Sequence, residues 1–82
     1  MEQYRSLKDH VYDYIAELID GGRLGGGDKV SEQQICDALN VSRTPVREAL
    51  IQLAGDGYLE NLPRKGFRVK RVDDESAREI FE

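Results

Sequence analysis

The 82-residue chain has little of what disulfide-bonded, metal-binding, membrane-spanning or secreted proteins require. Its one cysteine, Cys36, excludes an internal disulfide and fits a reducing cytoplasm. Its one histidine, His10, leaves too few histidine and cysteine ligands for a metal site, and we expect His10 on the polar side of a helix. No apolar run approaches the roughly 18 residues of a membrane span, and the start MEQYRSLKDH lacks the basic-then-apolar order of a secretory signal. We therefore expect a cytoplasmic domain that is not an enzyme, holds no metal or cofactor and has no membrane partner.

Positive charge is scarce overall but concentrated in one part of the chain, whose formal net charge is -4. Residues 1–41 carry four basic and eight acidic residues, residues 42–71 carry seven and three, and residues 72–82 carry one and five. The middle segment is therefore +4 between two flanks of -4 each. Local charge determines whether a polyanion is attracted, so the middle segment is the candidate for binding one.

The glycine-rich stretch RLGGGDKV raises the question of a phosphate-binding loop. Gly22 and Gly27 have the P-loop interval, but Asp28 stands where lysine is needed, and no register fits G-x-G-x-x-G. We predict a plain flexible loop.

Hydrophobic periodicity predicts a first helix over about residues 6–19, ended by the glycine pair at 21–22. Its apolar face consists of Leu7, Val11, Ile15, Leu18 and Ile19.

Two further helices follow in quick succession. Ser31 begins an S-x-x-Q capping box that predicts the start of the second helix, and Asn40 suits a left-handed stop. Either Ser42 or Thr44 caps the third helix, whose first turn accommodates Pro45 because the missing N–H would have no partner there. The apolar face of the third helix consists of Val46, Ala49, Leu50, Leu53 and Ala54. Two short helices joined by a tight turn predict a helix-turn-helix at about residues 32–51.

Residues 58–62 and 67–72 predict two strands joined by a turn at 63–66. Alternation places Phe67 and Val69 toward the core and Arg68 and Lys70 outward. The order of three helices and a hairpin predicts a mainly α fold with a small β-hairpin, a winged helix-turn-helix over residues 5–72. We expect residues 73–82 to be a linker and the start of a further C-terminal domain that the chain lacks.

The third helix carries a pair of arginines, Arg43 and Arg47, four positions apart. On a helix they project from the same side, opposite the apolar face. At the start of a recognition helix in the major groove, arginine can donate two hydrogen bonds to guanine. Ser42 and Thr44, beside the N-terminal N–H groups, suit nearby phosphates. The alternative is a solvated polar face in which Glu48 is the salt-bridge partner of the arginines.

The predicted hairpin is also basic. Arg64 and Lys65 occupy its tip, Gly66 lets the backbone approach a surface closely, and Arg68 points outward. Such a hairpin can enter the adjacent minor groove or contact its phosphates. A hairpin with merely solvated charges is the alternative.

The stretch GRLGGGDKVSEQQICDALNVSRTPVREALIQLAGDGYLENLPRKGFRV resembles the DNA-binding domain of GntR-family bacterial transcription regulators, in particular the FadR-like branch. The likeness covers about residues 7–72, and VSRTPVREAL followed by L-x-x-x-G-Y-L is its most specific part. It implies a homodimeric repressor or activator on a near-palindromic operator in double-stranded DNA. It also implies a C-terminal domain that binds a small-molecule effector, often a carboxylic acid.

Some family positions are kept in this chain and others are changed. The DNA-contacting positions that the resemblance implies are Arg43, Thr44, Arg47 and Gly66. Many members have arginine where this chain has Gln33, so the resemblance implies a lost phosphate or base contact and an altered specificity. Gly26 stands where the family commonly has proline, which implies a looser loop.

We therefore predict sequence-specific binding of double-stranded DNA. The candidate contact residues are Gln33, Ser42, Arg43, Thr44, Arg47, Arg64, Lys65, Gly66 and Arg68. The alternative is a winged helix used for protein interaction or dimerisation, which would need a large apolar surface instead of a basic one. Cys36, beside Ile35 and Leu39, is expected to be partly buried and not a nucleophile.

Overall fold

The computed structural model describes residues 6–71. In chain order they form α1 (Leu7–Asp20), β1 (Lys29–Val30), α2 (Glu32–Leu39), α3 (Arg43–Gly55), β2 (Leu59–Leu62) and β3 (Gly66–Val69). The predicted winged helix-turn-helix is confirmed. The linker and domain start predicted at residues 73–82 lie outside the described residues. None of the helices within residues 6–71 has the length and hydrophobicity needed to cross a bilayer.

Helix α1 begins with a reciprocal cap. The hydroxyl of Ser6 accepts the backbone N–H of Asp9 at 3.2 Å, and the Asp9 carboxylate accepts the N–H of Ser6 at 3.3 Å. This capping box satisfies two donors that a helix start leaves without partners. Val11 and Ile15 are buried as expected, whereas Leu7 is 58% exposed. Leu7 lies one turn before Val11, and its side chain lines an open groove between α1 and α3 with Pro45 and Ile51.

The turn between α2 and α3 follows the prediction. Ser31 caps α2 by accepting the N–H of Gln34 at 3.1 Å. Asn40 ends α2 with a φ of 57°, in the left-handed region that asparagine tolerates. Ser42 is the residue that precedes α3, and Pro45 lies in the first turn of that helix.

The sheet has three strands, not the predicted two, in the order β1-β3-β2. The register places Lys29 opposite Arg68, Val30 opposite Phe67, and Glu60 opposite Arg68 on the other side. Asp28 organises the glycine-rich segment before β1, because its carboxylate accepts the N–H of Gly25 at 2.8 Å. The prediction of a plain flexible loop is therefore wrong at Lys29 and Val30, which form β1. A two-residue strand is too short to show the alternation of polar and apolar residues that predicts a strand.

The core lies between the helices and the inner face of the sheet. Its residues are Val11, Ile15, Val30, Ile35, Cys36, Val46, Ala49, Leu50, Leu53, Leu59, Phe67 and Val69. Helix α3 packs against α1, α2 and β2, and its four core residues are completely buried. Burying a leucine-sized side chain contributes roughly 1.5–3 kcal/mol, so the apolar face of α3 fixes the direction in which its polar face points.

The C-terminal end of α3 is tied to α1. The hydroxyl of Tyr12 donates to the carboxylate of Asp56, the C-cap residue, at 2.6 Å. This hydrogen bond, with a smaller contribution from burial, raises the pKa of Tyr12 to about 12. The Tyr12 ring also meets Tyr58 edge to face, with centroids 6.3 Å apart. Gly57 follows the cap with a φ of 96°, a conformation that favours glycine.

Candidate nucleic-acid interface

The first two turns of α3 present the two arginines that the sequence singled out. Arg43 is the first residue of the helix and Arg47 lies one turn later. Their side chains are 59% and 58% exposed, although Val46, next to Arg47, is completely buried. The packing of the apolar face of α3 therefore orients the helix so that both guanidinium groups lie outside the core.

Both arginines are held by one carboxylate, that of Glu32 at the start of α2. Arg47 donates from Nε to Oε2 and from Nη2 to Oε1, each at 3.2 Å, and Arg43 donates from Nη1 to Oε1 at 3.2 Å. The hydrogen bonds to Glu32, and its negative charge, raise the pKa of Arg47 above its ordinary value. The Glu32 side chain is only 19% exposed.

Sequence reasoning named Glu48 as the alternative salt-bridge partner and missed Glu32. Glu48 follows Arg47 directly, and adjacent helical residues do not face each other, so Glu48 is poorly placed to pair. Glu32 is distant in the sequence but near in space because α2 packs against α3. Its position right after the Ser31 cap, on the helix facing the arginines, could have identified it.

Gln33 contacts Arg43, in addition to being available to solvent. Its Oε1 accepts from Nη2 of Arg43 at 2.5 Å, and its Nε2 donates to Oδ1 of Asp37 at 2.9 Å. Gln33 therefore continues the polar network of Glu32 along α2. Gln33, which we predicted to contact DNA, therefore lies where it orients Arg43, another predicted contact.

The N-terminus of α3 offers hydroxyl groups beside the arginines. Ser42 precedes the helix in an extended conformation, and its side chain makes no cap hydrogen bond. Thr44 is exposed in the first turn. Both hydroxyls lie beside backbone N–H groups that a helix start leaves without intrahelical partners, which suits an anionic ligand.

The wing tip is built on an unusual backbone. The N–H of Lys65 bonds to the carbonyl of Leu62 at 2.9 Å, closing a turn with Pro63 and Arg64 at its centre. Arg64 has a φ of 64° and Gly66 a φ of 92°, both in the left-handed region. Among residues 6–71 no ion pair of Arg64 or Lys65 is observed, and both side chains are exposed.

Arg68 differs from the other wing residues because its charge is neutralised within the sheet. Its Nε donates to Oε1 of Glu60, its cross-strand neighbour, at 2.6 Å. Lys29 lies opposite Arg68 on the other side, and like charges facing across strands are destabilising. Glu60 therefore offsets a repulsion inside the sheet, and Arg68 is less available to an outside anion than Arg64 or Lys65.

Apolar surface is limited. The large hydrophobic side chains exposed within residues 6–71 are Leu7, Ile51 and Tyr58. Leu7 and Ile51 line an open groove between α1 and α3, together with Pro45 and neighbouring polar residues.

Within residues 6–71 no group of three or more metal-ligating side chains occurs, and His10 is exposed.

Comparisons with known proteins agree with this geometry. The model of a family described as bacterial regulatory proteins, gntR family, matches residues 7–69. The chain is 39% identical over 66 residues to an uncharacterised HTH-type transcriptional regulator of Mycobacterium tuberculosis, covering 80% of this chain and 27% of that protein. It is 40% identical over 67 residues to the probable D-xylose utilization operon transcriptional repressor of Paenarthrobacter nicotinovorans, covering 82% of this chain and 30% of that protein.

A solved structure extends the likeness to the fold. The structure of Lar, described as controlling expression of the Listeria monocytogenes agr system, matches with a TM-score of 0.76 and 25% identity. The match covers 84% of this chain and 32% of that one. This chain thus spans 27% to 32% of the length of these three proteins. Assignment to the FadR-like branch stays a prediction.

The curated relatives are named as transcription regulators, in agreement with the prediction that the chain is not an enzyme. The family match over residues 7–69 shows that the chain belongs to the GntR family of bacterial regulatory proteins, and its winged helix-turn-helix is a DNA-binding domain of that family.

Proposed function

We propose that this domain binds its operator through α3 in the major groove, with Arg43 and Arg47 at base edges. The observation that carries the proposal is the pair of guanidinium groups, more than half exposed and one turn apart, on a helix whose other face is completely buried. Arginine at the start of a recognition helix can donate to O6 and N7 of guanine. Ser42 and Thr44 contact flanking phosphates.

The wing supplies a second contact that does not depend on sequence. Arg64 and Lys65 carry two positive charges on a narrow turn, and Gly66 has no side chain to keep the backbone away from a phosphate. Their location supports contacts to the neighbouring minor groove or its phosphates. Arg68 contributes less because Glu60 already binds it.

Fluorescence anisotropy with a duplex pool at several salt concentrations tests the proposal. The logarithm of the association constant is expected to fall linearly with the logarithm of salt, with a slope of about -0.9 for each neutralised phosphate. The double variant Arg43→Ala with Arg47→Ala should lose its preference for selected sequences. Arg23→Ala, which removes one charge from the loop after α1, is the control and should keep that preference. Absence of salt-dependent binding at low salt would contradict the proposal.

We further propose that the full regulator binds a near-palindromic operator as a homodimer in the cytoplasm. Two copies of a helix-turn-helix bind half-sites about 34 Å apart, or a multiple of that distance. Tethering two weak domains raises their combined affinity without new contacts. Sedimentation of the full-length protein with a duplex of one half-site and with a duplex of two half-sites measures the stoichiometry and the affinity. Equal affinity for the two duplexes would contradict binding as a homodimer.

We also propose that a carboxylic acid effector binds outside this chain, in the C-terminal part of the full-length regulator. The support is the family resemblance together with the short share of the relatives that this chain spans. Thermal shift of the full-length protein with a panel of small carboxylic acids is the test. The isolated domain should show no shift with the same panel.

A further inference from the structure

We propose that Glu32 is a specificity-determining positioning residue, which makes the two arginines of α3 more selective for bases than for phosphates. The inference rests on the proposed function, in which Arg43 and Arg47 face DNA. Glu32 was not among the predicted contacts, and the comparisons assign it no role.

The geometry supports a positioning role. The carboxylate of Glu32 is shared between the two guanidinium groups, at 3.2 Å from each, and its side chain is far less exposed than theirs. Gln33 holds Arg43 from the same helix. Long arginine side chains lose rotamer freedom on binding, so holding them in advance removes part of that cost.

The remaining donors of Arg47 leave room for a base. A guanidinium group has five N–H donors. Arg47 uses its Nε donor and one on Nη2 for Glu32, so three N–H donors on Nη1 and Nη2 stay available. Arg47 can therefore donate two hydrogen bonds to a guanine while Glu32 still holds it. Carboxylates also accept from N4 of cytosine, so Glu32 adds a favourable partner at a neighbouring G·C pair.

A phosphate in the same place meets a different environment. One carboxylate beside two arginines leaves this cluster with a single net positive charge, where two arginines alone would carry two. A phosphate that approaches the arginines also approaches the negative charge of Glu32. Like-charge contacts of this kind suppress binding of wrong partners more than they weaken the right one. Glu32 therefore lowers the affinity for arbitrary DNA and raises discrimination.

The variant Glu32→Gln tests the inference because it keeps the shape and removes the charge. A duplex selected from a random pool with the wild-type chain is compared with its scrambled sequence by anisotropy across salt concentrations. In Glu32→Gln the affinity for scrambled duplex should rise on the order of three- to tenfold at low salt, as expected for one more phosphate contact. The ratio of selected to scrambled affinity should fall on the order of fivefold or more.

The matched control is Glu48→Gln, which changes the net charge equally on the helix that carries the arginines. Glu48 is exposed and forms no ion pair observed within residues 6–71. Both affinities should rise together in this variant, and their ratio should stay at the wild-type value. Glu32→Asp keeps the charge on a shorter side chain and should lie closer to wild type in the ratio than Glu32→Gln does.

The outcomes separate the inference from the function on which it rests. If Glu32→Gln and Glu48→Gln raise both affinities to the same extent, Glu32 acts as an ordinary surface charge and the inference is overturned. If Glu32→Gln lowers both affinities, with reduced thermal stability and no rescue by Glu32→Asp, the residue has only a structural role and the inference is again overturned. Failure of the wild-type chain to bind duplex DNA would overturn the proposed function as well.

Discussion

The start of α3 and the tip of the wing present positive charge in opposite ways. At the start of α3 the backbone is regular, and the charged groups are held by partners on α2. At the wing tip the charges have no ion-pair partner within residues 6–71, and it is the backbone that is unusual, with Arg64 and Gly66 in the left-handed region. Held side chains favour selective contacts, whereas free charges on a fixed turn favour general attraction to phosphate.

The free energies involved also differ between the start of α3 and the wing tip. Ion pairs of largely exposed arginines such as Arg43 and Arg47 contribute only about 0–1 kcal/mol each, so Glu32 orients the two guanidinium groups without adding much to the stability of the fold. A non-glycine residue in the left-handed region costs roughly 1–2 kcal/mol, and the fold must offset that cost at Arg64. Side-chain partners on α2 therefore orient the α3 arginines, whereas the backbone itself sets the shape of the wing tip.

The largest effect is expected from Arg47→Ala. Losing a bidentate contact to a base should reduce operator affinity by about 1–3 kcal/mol and relax base preference at one position. Arg47→Lys is the matched control, since lysine keeps the charge but not the planar pair of donors. Arg47→Lys should retain its affinity for scrambled duplex and lose its preference for the selected sequence. Unchanged operator affinity in Arg47→Ala, measured by anisotropy, would remove the distinction between helix and wing.

A smaller effect, on folding, is expected from Gly66→Ala. A Cβ at this position meets nothing within 4 Å, but the φ of 92° is strained for any other residue. Unfolding free energy from urea denaturation should therefore fall by about 1–2 kcal/mol. Gly55→Ala is the control, because a Cβ there also meets nothing within 4 Å and Gly55, the last residue of α3, has no left-handed φ, so alanine fits without strain. Equal effects of the two changes would show that the wing backbone is not constrained.

Lys65→Ala should change binding without changing selectivity. Removing one free charge is expected to flatten the salt slope by about one and to weaken all duplexes alike. Lys65→Arg should keep the slope. If Lys65→Ala instead altered which sequences are preferred, the wing would take part in base recognition and the contrast with α3 would fail.

The smallest effect is expected from Tyr12→Phe, because Tyr12 lies on α1 and bonds to Asp56 at the C-terminal end of α3, the end opposite the arginines. Losing the hydrogen bond to Asp56 should cost about 0.5–1 kcal/mol of stability, toward the low end for an exposed bond, and leave DNA binding unchanged. The folded state raises the pKa of Tyr12 from 10.0 to about 12. The stabilisation is therefore fully present below pH 10 and lost as pH rises through 12. Thermal unfolding between these pH values should be more pH-dependent in wild type than in Tyr12→Phe, and identical profiles would contradict the role of the bond.

Much of the fold could be predicted because its determinants are local. The cap at Ser31, the left-handed Asn40 and the proline in the first turn of α3 each act within a few residues, and each lies where expected. The same holds for the exposure of Arg43 and Arg47, since periodicity places them opposite the apolar face.

The remaining features depend on contacts between distant parts of the chain. Strand β1 exists because β3 offers it an edge, and two residues carry no periodicity of their own. Glu32 reaches the arginines only after α2 packs on α3, and Glu60 neutralises Arg68 only in the observed register. Sequence alone therefore predicted which charges would contact DNA, but not which of them are already paired within the fold.

An NMR titration of the 82-residue chain with duplex DNA tests the central claim most directly. Signals of the Nε–H groups of Arg43 and Arg47 and of the backbone amides at 64–66 should shift on binding, and Tyr12 and its neighbours should not. The wing signals should shift with any duplex, and the two arginine signals should shift most with the selected sequence. Shifts confined to α1, or arginine signals that stay unchanged at saturation, would contradict the account.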